Sequence, residues 1–329
     1  MKKKVLIVIA LIMAVALVFT SCDELKSFFN EEETTGGNGE PCTVKWAGVR
    51  VSEYGMNRSF GYGNFPGTSQ MIGFGQKMSS CYNGSTGAYI LIVGTISTRE
   101  DKNGNAISGR CSLRFPLSKS IENAKGTDSD DEDNDFYEAY LTAMDNAGYS
   151  VWLQVEPGDA DLVELAKEVM NHYKHHSCVK GFGIDVEWYK YRSYNGGEDE
   201  TSSRLSDSVA KSVLTAVRSI KSDYTVFVKH WDTEWLPSRI DGLIYVNDSQ
   251  QFSSMKQVIN EFSDWAETYA PNPVMFQIGY DDDSWIWSKY KNPAKEFGQA
   301  IVDGCKSGND VGIIWVDFTL SQVINKTNL

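Results

Sequence analysis

Short apolar runs rich in β-branched residues alternate with amphipathic stretches from residue 43 almost to the end of the chain. Residues 44–52 (VKWAGVRVS) read as a first strand. Residues 87–97 (GAYILIVGTIS) read as a second, continuously apolar as a strand buried on both faces should be. Residues 135–147 form a helix, and residues 149–156 (YSVWLQVE) a third strand ended by Pro157-Gly158. Over residues 160–175, Leu162, Leu165, Val169 and Tyr173 recur at helical spacing, and residues 178–187 are the fourth strand. The alternation then repeats: a helix over 204–222, strands over 224–230 and 240–246, and a helix over 254–270. A strand over 274–280, a helix over 293–306 and an eighth strand over 311–318 complete it. Eight strands separated mostly by helices predict an α/β fold, a (β/α)8 TIM barrel forming one domain over residues 43–329. No glycine-rich fingerprint follows the first strand, which argues against an open dinucleotide-binding sheet.

Two irregular stretches interrupt the pattern. Residues 53–84 are rich in Gly, Ser, Asn and aromatics, with a helix expected near 69–80, and residues 98–129 should contain a short hairpin. Both follow strands, so in a barrel both belong to the face where strands end and binding loops collect. Ahead of the barrel, Lys2-Lys3-Lys4, the apolar run 5–19 and Thr20-Ser21-Cys22 have the layout of a secretory signal. The cysteine after small residues resembles the bacterial lipobox. That resemblance implies a signal peptide over 1–21, acylation of Cys22, and an exported lipoprotein held at the cell envelope. Residues 22–42 then read as an acidic, Gly- and Thr-rich tether.

The formal net charge is −13, and loss of residues 1–21 would remove three lysines and no acid, giving −16. So acidic a chain is poorly suited to nucleic acid or anionic lipid. The charge thus leaves the lipid anchor as the expected membrane contact, with no nucleic-acid partner and the protein a monomer. Five cysteines besides Cys22 fit no zinc spacing. Cys81 and Cys111 are either a bridge or two isolated buried thiols. The acidic run 128–135 lacks the glycine and terminal glutamate of a calcium loop and reads as a solvated helix start. His172 and His176, four apart near a helix end beside Lys174, suit the helix dipole better than a metal.

Strand ends carry the chemistry of a parallel barrel. They supply Glu156, Asp185 with Glu187, Trp231-Asp232, Asn247-Asp248, Tyr280-Asp281, and Trp315 with Asp317. Aromatic faces beside carboxylates are what a sugar site needs, for stacking and for gripping hydroxyls. Asp159 and Asp207 are instead expected to cap helices. Trp285 and Trp287 form either a stacking wall or the cover of a loop. Strict alternation along 183–189 would place Gly183, Asp185, Glu187 and Tyr189 on one face, with Trp188 opposite and space above Gly183. Two acids so placed repel, and one should hold its proton unusually high. Arg50 on the first strand is the available counter-charge.

The segment Ile184-Asp185-Val186-Glu187-Trp188 resembles the Asp-x-Glu segment of family-25 glycoside hydrolases, the muramidases. It is also similar to the Gly-Ile-Asp-x-Asp-x-Glu segment of family-18 chitinases. The first strand, Gly48 to Tyr54, is similar to the muramidase opening, with Arg50 where that family has aspartate; residues 245–248 and 314–317 look more like the chitinase pattern. Laid on residues 183–189 without a shift, the chitinase motif puts Glu187 at its middle aspartate and Tyr189 at its acid; a two-residue shift restores an Asp-x-Glu pair and puts Gly183 where that family has a further aspartate. The resemblance implies a glycoside hydrolase in which Glu187 donates the proton and Asp185 orients a substrate acetamido group. Glu156, Tyr189, Trp231, Asp232, Asn247, Asp248, Tyr280, Asp281, Trp315 and Asp317 would then bind the sugar, with no metal or organic cofactor. The alternative is a barrel that binds glycans or other ligands without cutting them.

Overall fold

The computed structural model describes residues 39–100, 105–127, 135–194 and 199–327. The signal, most of the tether with Cys22, and residues 128–134 of the acidic run lie outside these. No helix among the described residues is long and apolar enough to cross a membrane.

In chain order the strands are β1 (Thr43–Val51), β2 (Thr86–Glu100), β3 (Ala106–Leu113), β4 (Ala124–Lys125), β5 (Ser150–Val155) and β6 (Val179–Asp185). They continue with β7 (Arg192–Tyr194), β8 (Asp199–Thr201), β9 (Thr225–Lys229), β10 (Leu243–Asn247), β11 (Val274–Ile278) and β12 (Asp310–Trp315). The helices are α1 (Glu53–Phe60), α2 (Thr68–Ser79), α3 (Glu138–Ala147), α4 (Leu162–Tyr173) and α5 (Asp207–Arg218). After them come α6 (Met255–Tyr269), α7 (Ser284–Trp287), α8 (Pro293–Gly304) and α9 (Leu320–Val323).

Eight strands run in the spatial order β1-β12-β11-β10-β9-β6-β5-β2, every neighbouring pair parallel, and β1 pairs with β2 to close the ring. This is the expected (β/α)8 barrel in a single domain. The remaining strands make a flap. The second half of β2 continues past the barrel and pairs antiparallel with β3, which pairs with β7, and β7 with β8. The hairpin expected within 98–129 is therefore present, although its tip, 101–104, is not described.

Alternation divides the barrel strands into two populations. Ala88, Ile90, Trp152, Phe227, Ile244, Val246, Met275 and Ile314 form the inner cluster, with Trp46 against it. Outward residues such as Val49, Leu91, Leu153, Ile184, Val228, Tyr245, Phe276 and Trp315 join the helices in the larger cluster. A Cβ at Gly183 would collide with the Phe227 ring. The space expected there is thus filled by an aromatic plug from the neighbouring strand, which floors the barrel mouth.

Helix caps follow the side-chain chemistry. Ser52, Asp161, Ser206, Ser254 and Asn292 accept backbone N–H groups at the starts of α1, α4, α5, α6 and α8. Asp159 and Asp207 are not those caps. Asp159 pairs with Arg192, and Asp207 accepts both the N–H and the hydroxyl of Ser238. All five described cysteines are free and buried, so Cys81 and Cys111 are not bridged.

Candidate active site

The upper layer of the lumen is polar although its strands are apolar. Arg50, Gln154, Asp185, Lys229 and Gln277 are the last inward residues of β1, β5, β6, β9 and β11, and all are buried. Lys229 sits at the centre. Its Nζ lies 3.1 Å from Asp185 Oδ2 and also donates to Asp248 Oδ2. Gln154 Nε2 donates to the same Asp185 oxygen at 3.0 Å. Register explains the grouping, because Asp185 and Lys229 are direct partners across β6 and β9.

Arg50 acts on the mouth acids only through its field, opposing the rise of Glu187, and its direct partner is another carboxylate. Its guanidinium donates to Asp317 Oδ1 at 2.5 Å and stacks over Phe318. The other Asp317 oxygen accepts the N–H of Ser52 at 2.5 Å and its hydroxyl at 2.8 Å. Asp317, wholly buried, is thus a brace between the first and last strands rather than a sugar ligand. A Cβ at Gly55 would collide with its carboxylate, so glycine is required there.

The strand carrying the key acids is shorter than alternation implies. It ends at Asp185, and Val186–Trp188 form a 3-10 turn closed by Tyr189 N–H to Val186 O at 3.0 Å. Glu187 nevertheless remains among the mouth charges. Burial raises its pKa against the pull of Lys229, with Asp248 and Glu156 adding to the rise. Asp185 is likewise pushed up to about 7, chiefly by burial, with Lys229 opposing and Glu187 and Asp248 reinforcing. Glu156, just past β5, accepts the Ile96 N–H of β2 at 2.7 Å and is also raised to about 7, by burial and by Asp185. Tyr280 completes the mouth, its hydroxyl 3.3 Å from Gln277 Oε1 and its pKa raised by burial and by Asp248.

Other sequence candidates separate from this group. Asn247 points outward, donating to Glu261 on α6 at 3.1 Å and accepting Ser249 N–H. Trp315 is buried on the outer side, with its Nε1 on Thr319 Oγ1 at 2.9 Å and its ring edge-on to Trp287. Tyr189 packs away from Asp185, lining a groove with Asp159, Asp161, Lys190 and Arg192 at the starts of α4 and α5. Asp232 caps a turn by accepting Glu234 N–H at 2.8 Å. Asp281 pairs with Arg58 at 2.6 Å. Trp287 is a covering residue that donates to Tyr280 O, whereas Trp285 is exposed. Trp231 is 48% exposed and stacks on His230, which stacks on Trp235 in turn. His230 is held neutral, its pKa lowered to about 4 mainly by burial.

Lys229, Gln154 and Gln277 are missing from the sequence candidates. Lys229, the last residue of β9, carried no signal. For the two glutamines one was present, since each is a lone polar residue in an apolar strand buried on both faces. Such a residue must find a polar lumen. One atom of each of several such groups lacks a protein partner: Arg50 Nε, Gln154 Oε1, Asp185 Oδ1, Asp248 Oδ1 and Gln277 Nε2. Buried donors and acceptors converging on one mouth, beside carboxyls that keep protons near neutrality, are equipped to bind a polyhydroxylated molecule and pass it a proton.

No protein-family model matches the chain, and no curated protein matches it. Among solved structures it is similar to the endo-1,4-beta-mannanase of Eisenia fetida, with TM-score 0.43 and 11% identity over 88% of this chain and 93% of that one. The beta-1,4-mannanase of Aplysia kurodai gives 0.44 and 10%, over 87% and 92%. The beta-1,4-D-mannanase of Cryptopygus antarcticus gives 0.43 and 12%, over 86% and 93%. These likenesses assign no residue a role.

Proposed function

We propose that the protein is a glycoside hydrolase acting on glycans that contain N-acetylhexosamine, exported and anchored through Cys22. The observation that carries this reading is the group Glu156, Asp185 and Glu187 at one barrel mouth, all with raised pKa, above a lumen with unpartnered polar atoms. Glu187, the least enclosed of the three and on a turn rather than a strand, protonates the glycosidic oxygen as the bond to the leaving sugar breaks. The substrate's own acetamido oxygen attacks the anomeric carbon. Asp185, fixed by Lys229 and Gln154, accepts the acetamido N–H and orients it. Glu187 then takes a proton from the water that opens the cyclic intermediate. This substrate-assisted route needs one mobile proton donor and one immobile carboxylate. The short resemblance of residues 184–188 to the muramidase and chitinase segments supports the same roles. Glu156, Asp248, Tyr280 and the exposed Trp231 would contact the sugar.

Glu187→Gln should lower reducing-end release from chitin oligosaccharides and peptidoglycan by about 10²–10⁴-fold. Binding and the unfolding midpoint should stay near those of the parent. Equal turnover by variant and parent would sink the assignment. A second reading is favoured by the clamp on Asp185: a barrel that holds glycans without cutting them. It predicts retained binding and no release of reducing ends by the parent on long incubation.

A further inference from the structure

On the flank of the barrel, away from the mouth, α3 and the residues after α4 bring two histidines and two carboxylates together. Glu138 and Asp145 are seven residues apart, two turns of α3, and so share a face. Opposite them the chain leaves α4 at Lys174, and His176 N–H closes the turn onto Tyr173 O at 3.1 Å. His175 Nε2 lies 3.2 Å from Glu138 Oε1, and His176 Nε2 lies 3.1 Å from Glu138 Oε2. One ligand atom from each of Glu138, His175 and His176 falls within 4.8 Å of the others. His172, the histidine that sequence spacing paired with His176, faces Asp135 instead, 2.6 Å away, and stacks on Phe115.

The arrangement is over-supplied with acceptors. His176 has Asp145 Oδ2 2.7 Å from Nδ1 as well as Glu138 near Nε2. A neutral imidazole carries one N–H and cannot donate to both. Asp145 also accepts Ser177 Oγ at 3.0 Å and Cys178 N–H at 2.6 Å. With Ser177 Oγ and Cys178 N–H already donating to it, Asp145 is placed as an acceptor and takes the Nδ1 proton of His176. That leaves the Nε2 lone pair of His176 aimed at the glutamate, an arrangement a cation would resolve. The near edges match as well. Ligand bonds of about 2.0–2.1 Å in a tetrahedron put neighbouring ligand atoms about 3.3 Å apart; either Glu138 oxygen supplies one such edge, and the remaining ligand atoms lie within 4.8 Å, so the third edge closes by a small side-chain movement.

We infer that Glu138, His175 and His176 form a binding site for a divalent transition ion of the zinc type, with Asp145 fixing the His176 ring from behind. Two imidazoles and a carboxylate are a donor set that zinc accepts, and a carboxylate on the far nitrogen is the usual support of a metal-bound histidine. Glu138 and His175 are about half exposed and His176 is buried, so the fourth position faces solvent and is open to water.

The test is titration of Zn2+ alone into the full chain, stripped with a chelator and followed by calorimetry. The parent should bind an equivalent that His175→Ala and Glu138→Gln lose, with affinity reduced at least 10-fold. Asp145→Asn should weaken it 10–100-fold, and His172→Ala should leave it unchanged. Residues 138 and 175 are half exposed, and unfolding midpoints in metal-free buffer confirm that their variants are folded. No zinc taken up by the parent, or uptake by His175→Ala and Glu138→Gln equal to the parent's, would overturn the site. In that case the Glu138–His176–Asp145 contacts are structural hydrogen bonds only.

Discussion

Glu156 is enclosed by the β2–β3 flap on one side and Asp185 on the other, and its carboxyl is raised from an ordinary 4.5 to about 7. Between those values the folded protein binds more protons than the unfolded chain, so this group makes stability fall as pH rises through the window. Above about pH 7 the loss is complete, about 3 kcal/mol at most for this group alone. Glu156→Gln keeps an acceptor for Ile96 N–H and removes the titration. In urea unfolding at pH 5 and pH 8, the parent should be the less stable at pH 8, and the variant should show a difference smaller by roughly 2–3 kcal/mol. An unchanged difference would place that proton elsewhere. At this scale the sequence was partly legible. Glu156, Asp185, Glu187, Asp248 and Tyr280 were named from strand ends and do meet. Asn247 and Trp315 were named by the same rule and face the helices, because position at a strand end does not set parity and a one-residue shift exchanges the faces. Lys229 was hidden for a related reason: a lysine near a strand end reads as solvated until the register sets it between two carboxylates.

Strands and helices were legible because both periods are strong here, and the barrel strands read as unbroken apolar runs. The end of β6 was not, since a 3-10 turn over Val186–Trp188 has no hydrophobic signature of its own. The packing between strands was equally invisible. Gly183 and Phe227 are partners across β6 and β9, and the glycine is the socket for the ring. Gly183→Ala should therefore destabilise the barrel by about 1–3 kcal/mol through overpacking. Adding Phe227→Leu should recover at least about 1 kcal/mol of that, a coupling measurable in a double-mutant cycle. Additive losses in the two variants would show that ring and glycine do not compete for space.

Across the whole molecule, the described residues carry five thiols, at positions 42, 81, 111, 178 and 305, all buried and none bridged. They should react slowly with a thiol reagent in the native protein and become titratable together in denaturant without reductant, alongside Cys22 where it is unmodified. Fewer than these five thiols under those conditions would mean that pairs have oxidised. Closure of the ring has a further consequence for assembly. Arg50 and Asp317 are separated by 267 positions, and the aspartate also holds the Ser52 N–H and hydroxyl. Until the eighth strand docks beside the first, the Arg50 guanidinium has no Asp317 carboxylate to bury against. Desolvating it unpaired would be costly, so the contact that neutralises this cation and the contact that closes the ring are one and the same.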